Sequence, residues 1–277
     1  MSGQLPKISV LMPFYNAVDY LDTALASIVN QTFTDWELIL INDASTDGSD
    51  VVVQKYLADS RIIYFKNQTN RGIVENLNFG LSQAKSEIVA RMDGDDSCDP
   101  ARFAKQYDFL LNHPSVAAVG TFIKIIDQTG SVVDWRTKPL DFTVIKNNLL
   151  VYSPLVHATL MFRKSVIMEV GAYRNQYLYC EDIDLFFRLV YFGHQLANLP
   201  EFLYQYRYHR NSAAHRSRLI ASRLYQLRRE TIKNFNLHPA WSQRLMIFGQ
   251  YLAGLILSGR QRQWLEGFYK KIFYHEK

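Results

Sequence analysis

Short apolar runs alternate with amphipathic segments along the first third of the chain. Four runs have the length and the flanking turns of buried strands: Ile8–Met12, Trp36–Ile41, Arg61–Phe65 and Ser86–Val89. Between the first two, the apolar residues of Asn16–Asn30 recur at the spacing of one helix face. Strands that alternate with helices predict an α/β fold with a mainly parallel sheet, covered by helices on both faces.

Polar segments follow the predicted strands. They are Pro13–Asn16, Asn42–Gly48, Asn70–Gly72 and Asp93–Asp96. Because ligands of parallel sheets bind outside the carboxyl ends of the strands, we expect these segments to share one rim. The last segment carries three carboxylates, which repel one another unless a cation or hydrogen-bond donors offset their charge. From these residues alone, a solvated acidic loop and a site for a hard divalent ion are equal alternatives.

The second half of the chain is less regular. Residues 116–135 have the composition of two paired strands, and His157–Arg163 has that of another strand. Glu181–Tyr191 has a helical pattern with acidic residues in its first turn, where the positive end of the helix dipole would keep them ionised. Within it, Asp184 and Arg188 have the i, i+4 spacing of an ion pair.

Helical patterns fill the end of the chain. An amphipathic helix is predicted at Ser217–Phe235, and the segment from Pro239 onwards is also helical in pattern. We place the domain boundary in a hinge at Asn211–Ser217. The chain then divides into a main domain of residues 1–215 and a basic helical extension of residues 216–277.

Composition narrows the function classes. With 277 residues, 48% of them apolar, the chain can bury a full core. The two cysteines, Cys98 and Cys180, show neither metal-ligand spacing nor a disulfide framework, which is typical of a reducing compartment. The first residues lack the segments of a signal peptide, and the longest apolar run near the end, Leu245–Leu257, is too short to span a bilayer. A cytoplasmic location is therefore expected.

The net charge of +5 is unevenly distributed. Residues 1–206 contain 17 Lys and Arg against 23 Asp and Glu, whereas residues 207–277 contain 14 against 3. A basic tail after an acidic body favours an anionic partner, such as a membrane surface, a polyanionic substrate or a nucleotide. No nucleic-acid recognition motif accompanies the tail, so no nucleic-acid partner is expected.

Six short motifs occur in an order that resembles glycosyltransferase family 2, a family of inverting enzymes with the GT-A fold. They span roughly residues 6–192 and are the segments Ser9–Asn16, Ser27–Phe33, Glu37–Ser49, Asn70–Gly72, Asp93–Asp96 and Glu181–Leu185. The resemblance implies a Rossmann-like, mixed but mainly parallel sheet flanked by helices, here with a C-terminal helical extension. It also implies a nucleotide-sugar donor, usually a uridine diphosphate sugar, and a Mn²⁺ or Mg²⁺ ion.

The resemblance assigns five residues to the donor. Pro13 and Tyr15 would line the nucleoside pocket, and Asp43 would accept the N–H of the base. Arg71 would be a further nucleotide contact, and Asp93 would contact both the ribose and the metal ion. The residues themselves leave alternatives open, because Asp43 suits a helix N-cap and Tyr15 suits an apolar core.

The resemblance also implies a set of metal and diphosphate contacts. Asp95 would ligate the metal ion directly. The segment Tyr206–Ser212 resembles a loop that closes over the donor, in which His209 would be a metal ligand and Arg207 a diphosphate contact. A basic surface loop is the alternative for this segment. Asp96 is expected only to cap the following turn.

Asp182 would be the catalytic base, with Glu181 beside it as a substrate-binding residue. In a single displacement, a carboxylate must take the proton of the acceptor hydroxyl on the face opposite the leaving group. A divalent ion would act as a Lewis acid on the departing diphosphate. Both acids could instead be ordinary first-turn residues. His157 begins a predicted strand near the proposed acceptor side, where a substrate contact and a structural role are equal alternatives.

These assignments predict an inverting hexosyl- or N-acetylhexosaminyl-transferase that builds a cell-surface polysaccharide on a glycan or lipid-linked acceptor. The basic tail would hold the enzyme at the inner face of the cell membrane through anionic lipids. Dimerisation through the tail helices, or packing on the catalytic domain, is the alternative. A non-catalytic nucleotide-sugar-binding protein is the second hypothesis. A dinucleotide-dependent oxidoreductase is set aside, because Pro13–Ala17 stands where Gly-x-Gly-x-x-Gly is needed.

Overall fold

The structure is a computed structural model, and it describes residues 5–208 and 217–256. Within these residues, nine strands form one mixed sheet in the order β3-β2-β1-β4-β8-β6-β9-β5, with β7 beside β6. The strands are β1 (Ile8–Phe14), β2 (Trp36–Asn42), β3 (Ile62–Lys66), β4 (Ile88–Arg91), β5 (Ser97–Cys98), β6 (Val116–Ile126), β7 (Val132–Arg136), β8 (Met161–Arg163) and β9 (Gln195–Arg207).

The first four strands form the parallel half of the sheet. β1 lies between β2 and β4, so that Leu11 is opposite Ile39 on one side and Arg91 on the other. Every residue of β1 and β2 is buried, as expected of strands covered on both faces. The carboxyl ends of β1, β2 and β4 therefore meet at one rim, as the sequence predicted.

The remaining strands turn the sheet into a mixed one. β8 is antiparallel to β4 and β6, and β6 is parallel to the long strand β9. The end of β9 pairs in the antiparallel sense with β5, where Gln205 is opposite Ser97. This pairing brings the last residues of β9 against the segment that follows Asp96.

Helices complete the fold. They are α1 (Val18–Val29), α2 (Ser49–Gln54), α3 (Ile73–Gln83), α4 (Arg102–Asn112), α5 (Phe142–Asn148), α6 (Lys164–Glu169), α7 (Glu181–Tyr191), α8 (Ser217–Asn234) and α9 (Trp241–Ile256). The buried face of α1 carries Leu21, Leu25 and Ile28, at the spacing that predicted it. The helices α7, α8 and α9 also confirm sequence predictions.

A buried arginine at the start of α4 fixes β4 against its neighbours. Arg102 is fully buried and donates from Nη2 to the carbonyl oxygen of Arg91 (2.8 Å) and from Nε to Gln106 Oε1 (2.9 Å). Gln106 in turn donates to the carbonyl oxygens of Val119 and Thr159, both at 2.9 Å. A buried charge is tolerated when its donors are bonded, so these bonds hold the end of β4 in place.

The described residues separate into two compact units. The first contains the residues up to Leu149, together with Ser153–Gln176 and Glu181–Tyr208. The second contains Leu150–Tyr152, Tyr177–Cys180 and the helices α8 and α9. Inside the second unit, the rings of Tyr225 and Tyr251 stack at 4.5 Å between centroids, and Arg228 donates from Nη2 to the carbonyl oxygen of Val151 at 2.8 Å. The predicted hinge lies mainly in residues 209–216, outside the described ranges, and the division at 215 stays a prediction.

Three local predictions were wrong. His157–Thr159 forms a 3-10 turn, with Thr159 N–H donating to the carbonyl oxygen of Val156, so the strand expected from His157 begins only at Met161. Ser97 and Cys98 directly follow Asp96, where a turn was expected, but they form a strand because β9 pairs with them. Arg207 ends a 13-residue strand, so at this residue neither the predicted loop over the donor nor its alternative, a surface loop, is present. Among residues 5–208 and 217–256, none of the helices has the length and apolar character of a membrane span.

Candidate active site

The loops after β1 and β2 are tied together at the rim. Asn16 N–H donates to Ser45 Oγ at 3.0 Å, and Thr46 N–H returns a bond to Asn16 Oδ1 at 2.9 Å. Asp47 Oδ2 accepts from the N–H of Val18 at 2.9 Å, at the start of α1. These reciprocal bonds make one rigid edge from two loops that are 30 residues apart in sequence.

Pro13 and Tyr15 lie at the end of β1 on this edge. Pro13 is buried opposite Ile41 of β2, whereas the side chain of Tyr15 is 51% exposed. The alternative that Tyr15 is a core aromatic is therefore wrong. Its exposed ring is available to a ligand, and the predicted contact of both residues with a nucleoside stays a prediction.

Asp43 anchors the neighbouring loop. Its carboxylate is 4% exposed and accepts the backbone N–H groups of Arg71 (2.8 Å) and Gly72 (2.9 Å) and the amide of Asn67 (2.8 Å). Burial alone would raise the pKa of Asp43, but these donors lower it below the ordinary value. Gly48, not Asp43, precedes α2, so the N-cap alternative is wrong. The side chain of Arg71 is exposed on the same loop.

Three carboxylates cluster after β4. Asp93, Asp95 and Asp96 each present an oxygen, and the three oxygens lie within 4.8 Å of one another. Two oxygens that ligate one Mg²⁺, Mn²⁺ or Ca²⁺ ion at about 2.0–2.6 Å are at most about 5 Å apart, so this spacing and this donor chemistry fit a hard divalent ion. Gly94 allows the close approach of the loop to β1, since a Cβ there would lie 2.7 Å from Cβ of Phe14.

A buried cation balances part of this charge. Arg91 is 4% exposed and forms an ion pair with Asp93. Burial would lower the pKa of Arg91, but the charge of Asp93 raises it instead, so the guanidinium is always charged. Burial, and then the charges of Asp93 and Asp95, raise the pKa of Asp96 well above its usual value. Three ionised carboxylates on this loop are thus unfavourable without a further cation.

Asp96 and Arg207 have other contacts than the sequence predicted. Asp96 is 2% exposed, and its Oδ1 accepts the backbone N–H of Arg207 at 2.7 Å, so the prediction that Asp96 only caps a turn is wrong. Arg207 is 5% exposed, and its guanidinium donates to the carbonyl oxygen of Asp95 at 2.8 Å. The predicted contact of Arg207 with a diphosphate stays a prediction. His209 lies outside the described residues.

Glu181 and Asp182 begin α7, as predicted, and both are half-buried. Asp182 Oδ1 accepts the N–H of Ile183 at 2.8 Å. Burial raises the pKa of Asp182, although this N–H group and the cations Arg91 and Lys138 oppose the shift. The sequence predicted that the helix end keeps this acid ionised, and burial acts against that effect on its pKa. A carboxylate with a raised pKa is a stronger base.

His157, which is half-buried, and Tyr173, which is buried, form a pair near Arg91. His157 Nε2 lies 2.8 Å from the hydroxyl of Tyr173, which is 3% exposed. Burial and the charge of Arg91 lower the pKa of His157 well below its usual value, so the imidazole is neutral. The bond to Tyr173 gives His157 a structural partner, and its contact with a substrate stays a prediction.

The predicted ion pair between Asp184 and Arg188 is present within α7. Arg188 pairs with Asp184 at 2.8 Å, four residues earlier on the same helix. The same guanidinium donates to the carbonyl oxygens of Val170 (2.5 Å) and Ala172 (2.6 Å). Arg188 therefore fixes the turn that leads into Tyr173.

Sequence reasoning missed three features of this site: the ion pair of Arg91, the contact of Asp96 with Arg207, and the end of β9. A signal existed for Arg91, since it stands two residues before Asp93 and alternate residues of a strand share a face. None existed for the contact between Asp96 and Arg207, which are 111 residues apart.

Comparisons with known proteins agree on one family. The family model described as glycosyl transferase family 2 matches residues 9–171. The putative glycosyltransferase EpsE of Bacillus subtilis is 37% identical over 73% of this chain and 73% of its own. An Escherichia coli protein described as a UDP-Gal:alpha-D-GlcNAc-diphosphoundecaprenol beta-1,3-galactosyltransferase is 31% identical over 78% of this chain and 79% of its own.

Solved structures share the fold. The crystal structure of residues 1–349 of TarS from S. aureus in complex with UDP-GlcNAc has a TM-score of 0.70 at 21% identity, and the match covers 90% of this chain and 72% of that one. A mannosyltransferase of Pyrobaculum calidifontis, in complex with GDP-Man and Mn²⁺, has a TM-score of 0.66 at 17% identity, with 91% and 74% covered. These likenesses show the fold, and they confirm the predicted GT-A architecture with C-terminal helices.

Proposed function

The chain belongs to glycosyltransferase family 2, and we propose that it transfers a sugar with inversion from a uridine diphosphate donor to a hydroxyl group of a glycan or lipid-linked acceptor. One observation carries this proposal: the acidic cluster of Asp93, Asp95 and Asp96 lies at the rim where the loops of Asp43 and Tyr15 meet. That arrangement supports the proposal, because a cation held by the cluster would lie beside an edge with an exposed aromatic ring, as a nucleoside diphosphate requires.

The donor would occupy the rim from the nucleoside to the diphosphate. Tyr15 would cover the base beside Pro13, and the loop anchored by Asp43 would contact the nucleotide with Arg71. The ordered loop of Asp43 supports this placement, because its polar groups are fixed before a ligand arrives. The UDP-GlcNAc and UDP-Gal of the similar proteins favour a uridine donor.

Asp95 and Asp93 would hold a Mn²⁺ or Mg²⁺ ion, with His209 as a further ligand. The fit of three carboxylate oxygens within 4.8 Å supports this assignment, and a related fold binds Mn²⁺. Such an ion, when bound, supplies positive charge to the leaving diphosphate. Arg91 would keep Asp93 oriented towards the ion through their ion pair.

Asp182 would act as the base. Its carboxylate takes the proton of the acceptor hydroxyl while the acceptor oxygen bonds to the anomeric carbon and the bond from that carbon to the diphosphate breaks. The raised pKa supports this role, since a stronger base accepts the proton more readily. Glu181 and His157 would contact the acceptor or the transferred sugar at the edge of the same site.

Polysaccharide biosynthesis is the process that the relatives favour. The E. coli relative acts on a diphosphoundecaprenol-linked sugar, so a lipid-linked acceptor is the simplest proposal for this chain. The transferred group would be a hexose or an N-acetylhexosamine.

The C-terminal helices, proposed as a separate extension from residue 216, would bring the enzyme to the inner face of the cell membrane. Five apolar residues of α9 recur every three or four positions and are 39–75% exposed: Trp241, Leu245, Phe248, Leu252 and Ile256. Together with the basic charge of residues 207–277, this stripe suits an anionic lipid surface. A homodimer through the same helices is the competing outcome.

Asp182→Asn tests the proposal. It should reduce transfer by about 10²-fold or more while UDP and Mn²⁺ affinities change little, since the base touches neither. Unchanged turnover would remove Asp182 from the mechanism. A wild-type chain that binds the donor but transfers nothing to any acceptor would favour the non-catalytic binding protein.

A further inference from the structure

Arg207, the last residue of β9, is hydrogen-bonded to the acidic loop of residues Asp93–Asp96. The backbone N–H of Arg207 donates to Asp96 Oδ1 at 2.7 Å, and its Nε donates to the carbonyl oxygen of Asp95 at 2.8 Å. Its Nη1 donates to the carbonyl oxygens of Asp127 (2.7 Å) and Gln128 (3.3 Å), in the turn after β6. One residue at the end of β9 therefore connects Asp95 and Asp96 to the turn after β6.

Neighbouring residues of β9 hold the loop at two more points. The backbone N–H of Asp93 donates to the hydroxyl of Tyr204 at 3.2 Å, and Ser97 Oγ donates to Gln205 Oε1 at 2.9 Å. The loop from Asp93 to Ser97 is thus bonded to β9 at its beginning, its middle and its end. Arg207 supplies the middle contact, next to the carboxylates themselves.

Little of the Arg207 side chain is accessible to a substrate. Its side chain is 5% exposed, and its guanidinium lies 4.3 Å over the ring of Tyr20. Nε and Nη1 are already bonded to carbonyl oxygens of the protein. An arginine that binds a diphosphate presents an open fork of N–H groups, whereas here two of the three guanidinium nitrogens already donate to the protein.

We propose that Arg207 is a positioning residue that preorganises the cation site, and that it does not contact the diphosphate. By fixing the peptide of Asp95 and the carboxylate of Asp96, it keeps mutually repelling oxygens close enough to share one ion. Its positive charge also offsets part of that repulsion. The inference rests on the proposed function in one respect, namely that a divalent cation binds at this cluster.

The test uses the full chain with Arg207→Met and Arg207→Lys. Mn²⁺ alone is titrated by electron paramagnetic resonance, and UDP alone is titrated by calorimetry in EDTA. Groups that orient metal ligands typically contribute 10- to 100-fold to metal affinity, so Arg207→Met should weaken Mn²⁺ binding by about 10-fold or more. Arg207→Lys, which keeps the charge and can donate to one carbonyl, should be intermediate. UDP affinity in EDTA should stay within about twofold of wild type.

Arg163→Met is the matched control. Arg163 also stands at a strand end and donates to the carbonyl oxygens of Val116 (3.1 Å) and Leu110 (2.7 Å), and these two acceptors belong neither to the acidic loop nor to β9. It should leave Mn²⁺ affinity unchanged, so a general loss of backbone anchoring is separated from a local effect on the cluster.

Each contrary result overturns a different statement. Equal Mn²⁺ affinity in wild type, Arg207→Met and Arg207→Lys would overturn the positioning role alone. A loss of UDP affinity in EDTA that equals the loss of Mn²⁺ affinity would make Arg207 a diphosphate contact. A wild-type chain that binds no Mn²⁺ would overturn the cation site and this inference together. If Arg207→Met does not fold, the Arg207→Lys comparison decides by the same criteria.

Discussion

Replacing Asp43 with asparagine removes one hydrogen-bond acceptor oxygen from the rim where the nucleotide-sugar is proposed to bind. The carboxylate accepts three N–H groups at 2.8–2.9 Å, from Asn67, Arg71 and Gly72, and it is 4% exposed. In Asp43→Asn one oxygen becomes an NH₂ group, so at least one of these donors faces another donor. The loop that holds Arg71 then loses its anchor.

The size of the effect follows from these bonds. A hydrogen bond to a charged group contributes about 1.5–3 kcal/mol, and a buried donor without a partner costs about 1–3 kcal/mol. Because the loop can relax, we expect the free energy of unfolding to fall by about 3 kcal/mol. For a domain of roughly 200 residues this lowers the melting temperature by about 6–12 °C.

The effect should depend on pH in a defined direction. The N–H donors lower the pKa of Asp43 below its value of 3.8 in the unfolded chain. A depressed pKa gives stability that is fully present above the unfolded pKa and is lost as the pH falls through the folded pKa. The difference between wild type and Asp43→Asn should therefore be constant above about pH 5 and shrink below about pH 4.

Scanning calorimetry of both proteins between acid and neutral pH measures this difference. Asp35→Asn is the control, because that carboxylate is 41% exposed, lies 3.9 Å from the Lys7 ammonium and accepts one long bond from the N–H of Lys7, at 3.3 Å. It should change the melting temperature by less than about 2 °C. Equal melting temperatures of wild type and Asp43→Asn at neutral pH would refute the anchoring role.

Three further predictions concern the base, the acidic loop and the tail. Lys138→Met should move the acid limb of the pH profile of kcat/KM to higher pH. Only the ionised Asp182 accepts a proton, and the charge of Lys138 lowers the pKa of Asp182, which burial raises. An acid limb at the same pH in wild type and Lys138→Met would exclude this charge effect. Gly94→Ala should weaken Mn²⁺ binding by about 10-fold in calorimetric titration, because the added Cβ would lie 2.7 Å from Cβ of Phe14 and displace the loop; wild-type affinity would contradict that strain. Leu245→Glu should reduce flotation with anionic vesicles, whereas Val51→Glu, an exposed apolar position on α2, should not; a wild-type chain that stays in solution would count against membrane docking.

Local patterns were sufficient for the parallel half of the fold. Fully apolar strands such as Trp36–Ile41 and the helical spacing in α1 are encoded within a few residues, so their positions were predicted. The acidic rim at Asp93 and the start of α7 at Glu181 also follow from short segments. The helical pair at the end of the chain has the same local basis.

Long-range contacts explain what the sequence did not reveal. Strand β9 forms because β6 and β5 pair with it. No local sequence pattern indicates that pairing, so Arg207 was predicted to lie in a loop. The first residues of the strand expected at His157 form a turn instead, which Thr159 closes onto Val156. The raised pKa of Asp182 depends on burial, which the first turn of a helix does not reveal.

A thermal-shift titration with UDP, in Mn²⁺ and in EDTA, tests the central claim most directly, namely that the cluster at Asp93 and Asp95 binds a divalent cation beside a nucleotide diphosphate. We expect Mn²⁺ to increase the UDP-induced rise in melting temperature of the wild type, and we expect that increase to disappear in Asp95→Asn. Equal shifts in Mn²⁺ and EDTA, or the same Mn²⁺ effect in Asp95→Asn, would contradict the claim.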